Sequence, residues 1–96
     1  MSDDFGTKTY SFEEAILLIK KIKKTKYVIL GGDVLDQDGC YTYINWYCEP
    51  TAKATATSES CRKASGFIYR LANHEKYLYV FVISTYERYV QLQSYF

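Results

Sequence analysis

The chain has 96 residues, 48% of them apolar and 24% charged, with a formal net charge of +1. That balance supports one compact domain over residues 1–96 and excludes a disordered or fibrous chain. No run approaches the roughly 20 apolar residues of a membrane span. The opening Met1-Ser2-Asp3-Asp4 is acidic where a secretory signal is basic and then apolar, so the expected setting is the cytoplasm, with no membrane partner.

In chain order, Ser11 followed by Glu14 forms an S-x-x-E capping box, which predicts a helix opening at Phe12. Phe12, Ala15, Ile16, Ile19 and Ile22 share one predicted face. Lys20, Lys21, Lys23 and Lys24 gather where the macrodipole is negative, and the helix is expected to end near Lys24 or Thr25. Tyr27–Leu30 then reads as a short strand, broken by Gly31-Gly32 and resumed at Asp33–Leu35. Paired glycines in a strand suggest a bulge, a bend or a close backbone approach. Asp36-Gln37-Asp38-Gly39 is turn chemistry, and Tyr41–Glu49 is the returning strand of a hairpin. Alternation puts Thr42, Ile44, Trp46 and Cys48 on one face and Tyr41, Tyr43, Asn45 and Tyr47 on the other.

Thr51–Thr57 reads as a loop after Pro50, the only proline. A second helix is predicted from Thr57 or Ser58, with a buried stripe of Cys61, Ala64, Phe67, Ile68 and Leu71 and an end marked by Asn73 and His74. Lys76–Ser84 is the most continuous apolar run, the pattern of a strand with neighbours on both sides. The expected fold is therefore α+β in the order α-β-β-α-β. A right-handed crossover gives a small, largely antiparallel sheet of order 2-1-3 with both helices on one face. Residues 86–96 fit either a helix or an edge strand.

Charge is unevenly distributed. Residues 1–26 hold six lysines against four acids, and residues 51–76 hold five basic groups against two. Between Tyr27 and Pro50 there is no basic residue, only Asp33, Asp36, Asp38 and Glu49. Tyrosine is also in excess: eleven Tyr, five Phe and one Trp offer more ring surface than so small a core needs. Tyrosine at a surface presents a large apolar area with little rotamer entropy, the chemistry of a protein interface. The candidate contact residues are Asp33, Asp36, Asp38, Tyr43, Trp46 and Glu49. The competing role for Trp46 is as core anchor of the second strand.

Other chemistries find less support. Cys40, Cys48 and Cys61 are an odd set with no CxxC spacing, and His74 is the only histidine, so neither a disulfide framework nor a zinc site is expected. The D-x-x-D-x-D run from Asp33 lacks the later ligands of a calcium loop, with Ile44 at the twelfth position. No metal, cofactor or small-molecule substrate is expected. Lys20–Lys26 with surface tyrosines could serve a nucleic-acid-binding regulator, but the acidic hairpin would repel a polyanion. An enzyme acting through Asp33 and His74 would need those groups side by side.

Leu30-Gly31-Gly32-Asp33-Val34-Leu35, an acidic turn, Asn45-Trp46-Tyr47-Cys48-Glu49, a helix and an apolar strand together resemble a family of small immunity proteins. These accompany bacterial polymorphic toxins, including contact-dependent growth inhibition systems. The likeness spans Val28 to Ile83, with Gly31-Gly32-Asp33 and Asn45-Trp46 its most specific parts. It implies neutralisation of a cognate toxin domain, often a nuclease, by tight non-covalent binding inside the producing cell, without catalysis.

Overall fold

The computed structural model describes residues 8–93, so the acidic opening at residues 1–4 and the last three positions lie outside the described residues. The capping box forms as expected. The Ser11 amide donates to Glu14 Oε1 at 2.9 Å and the Glu14 amide donates to Ser11 Oγ at 3.2 Å, opening helix α1 at Phe12–Ile22. The helix stops two residues earlier than Lys24 because the Thr25 hydroxyl and amide both turn back to the Ile22 carbonyl. Its buried residues are Ala15, Leu18, Ile19 and Ile22, with Phe12 and Ile16 partly covered. Leu18 thus takes a core place that the spacing had given to Ile16.

Strands β1 (Tyr27–Leu35), β2 (Tyr41–Tyr47) and β3 (Leu78–Thr85) form an antiparallel sheet in the order β2-β1-β3, as expected. Helix α2 (Ala56–Arg70) returns over the sheet and packs beside α1, so that both helices share one core with the inner faces of the strands. Val34, Trp46, Tyr79 and Phe81 meet Ile19, Cys61, Ala64 and Ile68 there. Trp46 stacks on Phe67 at 5.0 Å and meets the edge of Phe81 at 5.6 Å.

The glycine pair does what paired glycines in a strand suggest. β1 is continuous through it but bulged, its register to β3 slipping between Ile29 and Gly31. Gly31 has φ +154, a conformation that side chains oppose, and a Cβ there would collide with the Trp46 carbonyl. A Cβ on Gly32 would strike the Val80 carbonyl and the Trp46 ring. The bulge also changes the phase of alternation, which lets Ile29 and Val34 both reach the helix side.

Pairing with β2 begins only at Gly31, leaving the start of β1 without a strand on that flank. Helix α2 supplies the missing partners. Thr57 Oγ1 donates to the Tyr27 carbonyl at 2.7 Å, and buried Ser60 Oγ accepts the Ile29 amide at 2.9 Å. The stretch read as a loop accordingly contains a single 3₁₀ turn at Lys53–Thr55 and the first residues of α2.

One further expectation is corrected and one open alternative is settled. Among the described residues β3 is an edge strand, with β1 on one side and a bridge to Tyr10 on the other. It reads as continuously apolar because Tyr79 and Phe81 enter the core while Val80 and Val82 face the opposite side. The last segment resolves as a helix, α3 (Tyr86–Gln93), following β3 directly.

Candidate functional site

Helices cover one face of the sheet. The register defines the other. Across it, Gly31 stands between Tyr47 and Val82, Asp33 between Asn45 and Val80, and Leu35 between Tyr41 and Leu78. On β2 the expected alternation holds: Trp46 is buried and Thr42 and Ile44 half-buried, while Tyr41, Tyr43, Asn45 and Tyr47 are exposed. Tyr41, Tyr43 and Tyr47 are 62%, 93% and 72% exposed, and Val82 on β3 is 50% exposed. Asp33 is the only charged side chain in the three strands, none of which holds a Lys or Arg. The exposed part of this face is therefore ring-rich and apolar with one half-buried carboxylate, while Leu35 on the same side is buried.

The six sequence-predicted contact residues separate into three groups. Asp33 belongs to this face, and Tyr43 is exposed at the bulge of β2 beside it. Asp38 and Glu49 are exposed at its two ends, Asp38 in the hairpin turn and Glu49 beyond the last residue of β2, on the order of 20 Å apart by strand rise. Burial, then the Glu49 carboxylate, raises the Tyr89 phenol's pKa, which places α3 within electrostatic reach of Glu49. Asp36 builds the turn: its Oδ1 accepts the Asp38 and Cys40 amides, both at 2.9 Å. Trp46, 5% exposed, lies in the core and takes the architectural of its two candidate roles. Tyr41, Tyr47 and Val82 stand on the same face. Alternation placed the two tyrosines on the right face, but Val82 needed the β1–β3 register.

One backbone position beside this face is unusual. Tyr43 has φ +67, in the left-handed region, at a bulge where Asp33 to Leu35 on β1 opposes Asn45 to Tyr41 on β2. Thr42 holds the irregularity, its Oγ1 donating to the Val34 carbonyl at 2.8 Å and accepting the Ile44 amide at 3.2 Å.

The alternative chemistries do not assemble. His74 packs on the helix side, its ring 4.8 Å from Phe12 and 5.6 Å from Tyr69, with Nδ1 3.1 Å from the Leu71 carbonyl. Asp33 faces the other side of the sheet, so the two form no catalytic pair. Burial pushes the Cys48 and Cys61 thiols up in pKa, away from nucleophilic character, while Cys40 is exposed in the turn. Lys20, Lys21, Lys23 and Lys24 line α1 and its end, away from the tyrosines of β2. Tyr69 shares a surface hollow with Lys20 and Lys23. Among the described residues no group of His, Cys, Asp or Glu is placed to hold a metal ion, and no helix is long and apolar enough to cross a membrane.

This α+β scaffold leaves the part of one sheet face around Asp33 exposed, ring-rich and without a Lys or Arg in its strands, while Val28 and Ser84 at the far end of the same side are buried. Residues 4–83 match the family model described as Immunity protein 40, and the chain belongs to that family. No curated protein and no solved structure matches it.

Proposed function

We propose that the chain neutralises a cognate toxin domain by binding it through the open face of the sheet, without catalysis. The observation that carries this reading is the combination of exposed Tyr41, Tyr43 and Tyr47 with Asp33 at the centre and Asp38 and Glu49 at the ends. Rigid rings supply buried area at small entropic cost, and the carboxylates orient a partner and speed its arrival. Both favour a basic partner surface. A nuclease cleft, cationic because it holds a polyanion, is one such surface. Family membership supports the partner's being a toxin.

Co-expression with a candidate toxin domain from a neighbouring gene tests the proposal. Growth restored to the host and a complex that co-purifies are expected. Continued killing with no complex refutes it.

A further inference from the structure

Tyr43 is held in a way the fold itself does not need. Its ring is 93% exposed, the highest exposure among the large hydrophobic side chains of the sheet, so it adds little to the stability of the free domain. Its backbone has φ +67, where glycine and asparagine sit readily and an aromatic residue is an outlier. The conformation is nevertheless fixed. Thr42 Oγ1 links the bulge to the Val34 carbonyl on the central strand and to the Ile44 amide, satisfying groups that the interrupted ladder would leave open. Half-buried Ile44 and buried Trp46 anchor the strand immediately beyond it. A residue held in an unfavourable backbone state by its surroundings, with its side chain projecting into solvent, is a candidate for a role other than folding.

Resting on the reading of the open face as the toxin contact, we infer that Tyr43 is the pre-positioned anchor of that contact, entering a cationic recess of the partner. Its ring is more exposed than those of Tyr41 and Tyr47, 93% against 62% and 72%, and its backbone alone of the three is left-handed, which suits it to enter a concavity while its neighbours lie against a rim. The partner recess is cationic because the hairpin offers no positive charge from Tyr27 to Pro50 and four carboxylates instead. A phenol ring also presents its face to Lys or Arg. Because the bulge fixes the backbone from which the ring projects, little backbone entropy remains to be lost there on association.

The test measures affinity for a catalytically inactivated form of that candidate toxin domain, together with thermal stability, for the parent chain, Tyr43→Asn and Tyr43→Phe. Asparagine accepts the left-handed backbone and removes the ring, so the variant should melt at the parent temperature or above it. Its Kd should rise by about 30-fold or more, the loss that marks an interface hot spot, mostly through faster dissociation. Tyr43→Phe keeps the ring and should retain most of the affinity. A parent that binds while Tyr43→Asn binds equally well overturns the anchor and leaves the open-face reading standing. A Tyr43→Asn variant that melts well below the parent overturns the claim that the residue is dispensable for folding. A parent that does not bind overturns both readings.

Discussion

Replacing Gly32 by alanine should damage the fold far more than one methyl group suggests. A Cβ at that position would meet the Val80 carbonyl and Trp46 Cη2, with Trp46 Cζ2 2.8 Å away. Overpacking by a single group costs about 1 to 3 kcal/mol in cores that can adjust. Here one obstacle is backbone, in the ladder that joins β1 to β3, and the other is a ring wedged between Phe67 and Phe81. The upper end, about 3 kcal/mol, is therefore expected. For a domain of this size that lowers Tm by roughly 12 to 24 °C, and it removes a large part of a typical stability of about 5 to 15 kcal/mol. Urea denaturation followed by Trp46 fluorescence reads both the loss and its place, since the chain has one tryptophan. Gly39→Ala is the comparison: φ is +83 in the hairpin turn with nothing within 4 Å of the added carbon, so only a backbone cost of about 1 kcal/mol applies. Equal stability for Gly32→Ala and the parent, with unchanged Trp46 emission, would refute the close-approach argument.

Two further outcomes follow from the packing. Ser60→Ala removes the acceptor of the buried Ile29 amide and should cost about 1 to 3 kcal/mol in urea unfolding; a change within about 0.5 kcal/mol, the range of an inconsequential surface substitution, would mean that the start of β1 is supported in some other way. Tyr79, fully buried with its hydroxyl donating to the His74 carbonyl at 2.7 Å, has its pKa raised by burial to about 12. The folded-state value lies above the unfolded one, so its contribution to stability is fully present below about pH 10 and declines as pH rises from there through about 12. Urea midpoints between pH 9 and 12 should fall less steeply for Tyr79→Phe than for the parent, and parallel declines would count against this assignment.

Local signals carried most of the architecture. Ser11 and Glu14 placed the start of α1, alternation sorted every residue of β2 correctly, and the crossover rule gave the sheet order. What escaped depended on contacts distant in sequence. The continuous apolar reading of β3 could not distinguish a central strand from an edge strand whose two faces meet different surroundings. The register slip at Gly31 decides that Asp33 faces outward, and glycines announce a bulge without fixing its phase. The acidic turn was legible in both its senses, yet counting charge could not tell Asp36, whose carboxylate is engaged by two turn amides, from the free-standing Asp38. Nothing in Thr42-Tyr43-Ile44 signals a left-handed tyrosine, because that conformation is imposed through the bond from Thr42 to Val34 across the hairpin.

The central claim is that the partner is gripped by the acidic, ring-rich face and not by the basic helix layer. Its most direct measurement is the affinity of the inactivated toxin domain for two triple variants, one with Asp33→Asn, Asp38→Asn and Glu49→Gln, the other with Lys20→Gln, Lys21→Gln and Lys23→Gln. Each changes the net charge by three, in opposite directions, at exposed or half-exposed positions. The acidic set should weaken binding by at least tenfold, chiefly by slowing association, and should flatten its dependence on salt. The lysine set should leave affinity within about threefold or improve it slightly by removing like charge. A larger loss from the lysine set than from the acidic set would contradict the account and place the interface on α1.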